Sequence, residues 1–315
     1  MTGSTWQRDL ATSLAAGQAV VDGELAAIAA AVDPTDTAAA ALHYALQTGG
    51  KRLRPILFLA AVEAVFEAHG ETPPLRRDDV AGRPWVRAAS AVELVHTYSL
   101  VHDDLPCMDD DDLRRGRPTT HLVHGSPAAM VAGLSLIPLG VSVLLDAAAR
   151  LELPAADAVS AVRELCHGAG GAGMVGGQVL DLAAEGRGLT LDELRRVHAL
   201  KTAALFSAAT RAGSRLAGAS DPVTDALGSF GLHLGMAFQI TDDVLDETMD
   251  VAALGKTPGK DRAASKSTFP VMLGLDGARA AAVAESDLAV ARLREARLSS
   301  RLLEGLARFA VHRDR

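Results

Sequence analysis

Cysteine is nearly missing: Cys107 and Cys166 are the only two in 315 residues. That excludes a disulfide framework and a cysteine-rich zinc site, and it fits a reducing, cytoplasmic setting. Aromatic residues are scarce at 3%. Runs that alternate Val, Ile, Thr or an aromatic with polar residues are equally rare, so sheet-building patterns are lacking. Positive charge is in deficit: 31 Lys and Arg stand against 39 Asp and Glu, a net charge of −8. A nucleic-acid partner would usually be announced by a basic balance or patch, and none is expected. The opening residues MTGSTWQRDL lack the basic-then-apolar order of a signal peptide. No internal repeat, low-complexity linker or domain boundary interrupts the chain, so one domain over 1–315 is expected.

What fills the chain is alanine- and leucine-rich helical periodicity, interrupted by Gly, Pro and Asp stops, which predicts an all-α fold. Helices are expected over about 6–31, 36–47, 55–68, 85–104, 190–215, 223–246, 270–297 and 299–312. One run, Ala128 to Leu145, carries no charge and just reaches membrane-spanning length. Gly133, Ser135, Pro138, Gly140 and Ser142 dilute it, so a buried core helix is expected there instead. Gly168, Gly170 and Gly173 spell a dinucleotide-binding fingerprint. That motif needs a preceding strand, and Ala161 to Cys166 reads as helix, so close helix packing explains the glycines better.

Two acidic clusters stand out. The first is DDLPCMDDDDLRRGRP from Asp103 to Pro118, with six aspartates in ten residues. Such crowding repels itself unless cations neutralise it. Asp103 and Asp109 would lie about 240° apart on a straight helix. Pro106 forbids a regular continuation, and the distorted turn can bring Asp109 back to the same side. The second cluster is Asp242, Asp243 and Asp246; Asp242 and Asp246 stack on one helix face. Upstream, Lys51, Arg52 and Arg54 precede Pro55 at a helix start, where anions bind well. Two carboxylate groups with basic residues around them predict a clamp for a metal-bound polyphosphate. Gln178 and Asp181 are polar positions on one face of an otherwise apolar helix.

These motifs resemble those of the trans-isoprenyl diphosphate synthases, or polyprenyl synthetases. The resemblance runs from Gly49 through the last helix: GGKRLRP at 49–55, DDLPCMDDDDLRRGRPT at 103–119, GGQVLDL at 176–182, Lys201-Thr202, FQITDDVLD at 238–246, GKTPGKD at 255–261 and KSTFP at 266–270. It implies antiparallel helices around a deep central cavity, a homodimer, and head-to-tail transfer of an allylic diphosphate onto isopentenyl diphosphate. It also implies Mg²⁺, three ions with substrate bound, held by Asp103, Asp104 and Asp109 on one wall and Asp242, Asp243 and Asp246 on the other. Asp103, Asp109 and Asp242 are the expected direct ligands, and Asp110, Asp111 and Asp112 a solvated or supporting run. Arg114, Lys201, Lys256 and Lys266, with Thr202 and Gln239, correspond to the allylic diphosphate grip. Lys51, Arg54, His96 and Arg115 correspond to the isopentenyl diphosphate pocket. Lys201, Thr202 and Gln239 would stabilise the cation, and the departing pyrophosphate would take the proton. Gln178 and Asp181 would orient these groups.

Tyr98 lies five residues before Asp103, about 7.5 Å along the helix. With Ser99 it corresponds to the family's chain-length position. An aromatic there, with the long spacing of the first motif, implies a C15 product, farnesyl diphosphate; a C20 product is the alternative. The family's A-G-D-A-L segment is here Ala132-Gly133-Leu134-Ser135-Leu136, a departure that bears on dimer packing and cavity depth. A terpene cyclase would carry a mixed Asn/Ser/Glu second motif, and a non-catalytic subunit of a heteromeric synthase would have lost one acidic motif. Both clusters are intact here.

Overall fold

The structure, a computed structural model, describes residues 5–33, 35, 38–73, 83–248 and 267–313. Helices follow one another through it: α1 (Thr5–Ala30), α2 (Ala39–Leu46), α3 (Leu53–Ala68), α4 (Arg83–Asp103), α5 (Thr120–His124), α6 (Ser126–Arg150), α7 (Ala155–Ala169), α8 (Met174–Ala183), α9 (Leu191–His198), α10 (Ala204–Leu216), α11 (Asp221–Thr248), α12 (Phe269–Glu295) and α13 (Arg301–His312). Among the described residues, sheet is confined to one hairpin, β1 (Leu113–Arg114) against β2 (Arg117–Pro118). No strand precedes the glycines at 168–173, because α7 does. The dinucleotide reading fails on that ground, as expected.

The helix starts are written locally. Thr190 and Glu193 form a reciprocal capping box at α9, and the Thr268 and Ser300 hydroxyls cap α12 and α13. Pro55 falls in the first turn of α3, where its missing N–H costs nothing. α10 lies centrally, against α3, α7 and α11, while α4 packs along α6 and α11 along α12. One apolar core joins α1 to α4 with α6, α7 and α10; a second joins α3, α10, α11, α12 and α13.

Three expectations needed correction. The helix expected over 190–215 is interrupted by a π-helical stretch, Ala199–Ala203. Widened turns of this kind are frequent at functional sites, and this one carries Lys201 and Thr202. The helix expected from 270 breaks at Gly274, whose φ of 71° only glycine adopts cheaply. α6 was expected to be a buried core helix and is buried on one side only. Its outer face exposes Met130 at 45%, Val131 at 46%, Leu134 at 53% and Leu145 at 42%. It is the one described helix long and apolar enough to cross a membrane by composition.

Candidate active site

α4 ends at Asp103, as Pro106 dictates. The chain then recoils: the Asp109 N–H donates to the Asp103 carbonyl at 2.9 Å, and the Asp110 N–H to the Leu105 carbonyl at 3.1 Å. The recoil returns Asp109 to the Asp103 side, close enough that its charge helps raise the Asp103 pKa. Burial is the main cause of that rise, to about 6, and Lys201 is the main influence opposing it. Asp104 points elsewhere. It is 3% exposed, and its Oδ1 accepts from Arg114 Nε at 2.9 Å and from Arg114 Nη2. Arg114 also reaches Asp111 Oδ2 at 3.3 Å. In this structure the Arg114 fork is therefore occupied by its own acidic segment.

The second cluster divides in the same way. Asp243 is 8% exposed; its Oδ2 accepts from the Phe269 N–H at 3.0 Å and its Oδ1 from Gln239 Nε2 at 3.2 Å. Burial pushes its pKa up to about 7. Asp242 faces the other way, and its Oδ1 accepts from Arg313 Nη2 at 2.6 Å. Arg313 is the last described residue and lies 3.7 Å over the Phe238 ring, with Nη2 also donating to the Phe238 carbonyl. Asp246 sits one turn beyond Asp242, exposed. All six aspartates were counted as metal residues from the sequence. As folded, Asp104, Asp242 and Asp243 each accept from protein donors, and adjacent helix positions point about 100° apart, so the members of each pair face different neighbours.

Between the two clusters lies the π-helical stretch. Lys201 Nζ donates to Asp181 Oδ2 at 2.6 Å, and Thr202 Oγ1 to Gln239 Oε1 at 2.7 Å. Thr202, Gln239 and Asp243 thus form a chain of hydrogen bonds from α11 to the residue beside Lys201. α8 approaches closely because Gly177 has no side chain: a Cβ there would overlap the Lys201 backbone. Gln178, the next residue, has both amide atoms buried without a protein partner. His198 stacks on Phe269 at 5.3 Å and is 3.7 Å from Asp243 Oδ2. Burial holds His198 down to about 4, so it is neutral near pH 7.

The basic pocket is assembled by the hairpin. Arg115 and Gly116 both have positive φ, 55° and 74°, as a two-residue primed turn requires. The hairpin docks on the loop after α2: Arg115 Nη1 donates to the Gly49 carbonyl, Arg117 Nη1 to the Gln47 carbonyl, and Tyr44 Oη to the Pro118 carbonyl. Gly50 was read as part of a helix stop. It has a second task, because a Cβ there would overlap the Arg115 guanidinium. Arg54 lies 4.6 Å over the Phe206 ring with its Nε unpaired, and burial pushes its pKa down to about 10. His96 has an unpaired buried Nδ1; burial and then the charges of Arg54 and Arg115 hold it well below 6.5. It is neutral and can donate or accept one hydrogen bond. Lys51 is exposed on the same loop.

Tyr98 is half-buried against the α4 and α6 core, its ring edge-on to His102 at 4.7 Å. The Ser99 hydroxyl turns back to the His96 carbonyl at 2.8 Å. Lys256 and Lys266 lie outside the described residues. Among the described residues no three His, Cys, Asp or Glu side chains converge on a ready-made metal site. The donor set still suits a hard divalent ion, being carboxylates crowded at low solvent exposure. Sequence reasoning missed Arg313, Phe206 and Glu93. None carries a motif-like signal of its own, and each joins the site only through tertiary contact.

Helices throughout, with one short hairpin among the described residues, define an enzyme of the isoprenoid synthase fold. The solved FPP/GFPP synthase of Zymomonas mobilis superposes with a TM-score of 0.79 at 33% identity, over 96% of this chain and 99% of that one. A geranyltransferase of Helicobacter pylori, solved in complex with magnesium and isoprenyl diphosphate, superposes with a TM-score of 0.75 at 27% identity, over 99% and 98%. A farnesyl diphosphate synthase of Bacillus subtilis (strain 168) is 40% identical over 270 residues, 86% of each chain. The polyprenyl synthetase family model matches residues 35–297. This chain belongs to the polyprenyl synthetase family.

Proposed function

We propose that this chain is a Mg²⁺-dependent prenyltransferase that condenses isopentenyl diphosphate with dimethylallyl or geranyl diphosphate, giving farnesyl diphosphate. The observation that carries this reading is the folding of Asp109 back onto Asp103, with Lys201, Thr202 and Gln239 hydrogen-bonded in the stretch that joins this wall to the second acidic cluster. Asp103, Asp109, Asp242 and Asp246 would hold Mg²⁺, while Asp104 and Asp243 brace the two walls. Bound there, Mg²⁺ would supply positive charge to the leaving pyrophosphate, which is where the reaction needs it. Lys201 and Arg114, with Lys256 and Lys266, bind the allylic diphosphate. Arg114 changes partners to do so. Thr202 and Gln239 present oxygens to the carbocation, and the low-exposure walls keep water from capturing it. Lys51, Arg54, Arg115 and neutral His96 hold isopentenyl diphosphate.

Chain growth ends at Tyr98, whose ring stands below Asp103 against the core. Tyr98→Ala is expected to shift the product towards C20, read by mass spectrometry after dephosphorylation; an unchanged C15 product would remove Tyr98 from that role. The founding test is product analysis with purified chain, Mg²⁺, isopentenyl diphosphate and either starter. Turnover of farnesyl diphosphate alone would point to a cyclase, and inactivity of the single chain to a subunit of a heteromeric synthase.

The single domain acts as a cytoplasmic homodimer in this reading. The exposed stripe Met130, Val131, Leu134 and Leu145 repeats at helical spacing along one face of α6. Leu122 and Val123, exposed at 54% and 47%, lie just before it on α5. A second copy of α6 would cover this stripe, and Leu134, where relatives carry an acidic residue, makes it more apolar. Leu134→Glu is expected to give monomers in analytical ultracentrifugation; a dimer of unchanged affinity would place the interface elsewhere.

A further inference from the structure

The loop that carries Lys51 and Arg54 turns on a third basic residue that faces away from the pocket. Arg52 has a left-handed backbone, φ 51° and ψ 34°, immediately before α3. An arginine in this conformation is uncommon and needs surroundings that enforce it. Its side chain is 3% exposed. Nη1 donates to Glu93 Oε1 at 2.8 Å, and Nε donates to Asp22 Oδ1 at 2.7 Å. The Glu93 side chain is 2% exposed, and Glu93 lies one helical turn before His96 on α4. The pair therefore ties the basic loop to the helix that supplies both His96 and Asp103.

Glu93 has a wider reach. It is the largest influence keeping the buried guanidiniums of Arg54 and Arg115 charged against desolvation. Yet its hydrogen bond goes to Arg52, not to either of them. Arg54 Nε stays unpaired, and Arg115 donates to the Gly49 carbonyl. A buried carboxylate beside three guanidiniums is captured by whichever offers the best-placed fork. Here the left-handed turn at Arg52 delivers that fork.

We propose that Arg52 and Glu93 form a positioning pair in which Arg52 occupies the Glu93 carboxylate, leaving Arg54 and Arg115 free to bind a diphosphate. Glu93 supplies the field that balances the pocket cations, and Arg52 prevents that field from becoming a competing ion pair. The inference rests on the assignment of this pocket to isopentenyl diphosphate. It concerns positioning, since neither residue touches substrate.

The proposal makes a prediction about sign. In Arg52→Met, Glu93 falls to Arg54 and Arg115. KM for isopentenyl diphosphate is then expected to rise about tenfold, the scale of one lost charge-assisted contact, while KM for the allylic substrate stays within about twofold. In the double variant Arg52→Met/Glu93→Gln the competitor is removed, and KM for isopentenyl diphosphate is expected to fall back towards wild type. A merely structural pair predicts the reverse, a double variant as impaired as the single or worse, and that result overturns the proposal. So does a parallel rise of both KM values. Should Arg52→Met not fold, Arg52→Lys keeps the charge and loses the fork, and a rise of a few-fold confined to isopentenyl diphosphate is expected; no rise overturns the pair. Binding of inorganic pyrophosphate without metal, by titration calorimetry, gives the same ordering independently of turnover. A wild-type chain that binds pyrophosphate but does not consume isopentenyl diphosphate overturns the activity, and the variants' pyrophosphate affinities still decide the pair.

Discussion

The two acidic walls use the same residue type and nearly the same spelling, and they are built differently. In the first, Asp103 and Asp104 end a helix that Pro106 has stopped, and a recoiled turn returns Asp109 to Asp103. Its counter-charge is local, because Arg114 binds Asp104 and Asp111 from within the same stretch. In the second, Asp242 and Asp243 lie inside α11, which runs on to Thr248. Its partners come from afar: Phe269 and Gln239 hold Asp243, and Arg313, 71 residues on, holds Asp242. The first wall is thus a self-contained unit of sequence. The second is assembled by α12 and the end of the chain, so it depends on their docking. In both, adjacent aspartates have different surroundings: Asp104 holds Arg114 while Asp103 lies beside Asp109, and Asp243 holds Phe269 and Gln239 while Asp242 holds Arg313.

The widest gap between the paired aspartates should appear in activity. Asp103→Asn and Asp242→Asn are expected to lower kcat by about 10²–10³, the loss usual when a fixed electrostatic contact to a leaving group is removed. Melting temperatures should hold. Retained kcat in either variant would break the proposed metal role of that residue. The bracing pair should respond in stability. Asp104→Ala leaves Arg114 with its main partner gone at low exposure, a loss of about 3–5 kcal/mol for a broken buried ion pair. Asp243→Ala strands the Phe269 N–H and the Gln239 amide, a cost of about 1–3 kcal/mol. Urea denaturation measures both. A larger loss at Asp243 than at Asp104 would reverse the order the two walls imply.

The smallest effect belongs to Arg313. If Asp242 holds a cation, as proposed, its bond to Arg313 competes for that carboxylate. Arg313→Met keeps an apolar body over Phe238 and removes the charge. The Mg²⁺ concentration for half-maximal rate is expected to fall about two- to threefold, within the range of a partly exposed ion pair. An unchanged Mg²⁺ profile would mean that Asp242 is not held back by the end of the chain.

The helices and the two acidic clusters were legible in the sequence because each is a local pattern. Pro106 announced the end of α4. The single-sided burial of α6 was not legible. An uncharged run such as 128–145 reads the same whether its second face is buried or exposed. The π-helical stretch at 199–203 was hidden for a related reason. It depends on the approach of α8 at Gly177, far away in sequence.

By itself the sequence determined that the chain is helical, where helices stop, and that two carboxylate clusters and a basic stretch are present. Those properties follow from neighbours a few residues apart. Tertiary structure alone decided that Arg114 holds Asp104, that Phe269 and Gln239 hold Asp243 while Arg313 holds Asp242, and that Glu93 is held by Arg52 and not by Arg54. The reason is rotational: a helix fixes the angle between successive side chains, and only packing against other helices fixes which of them points where.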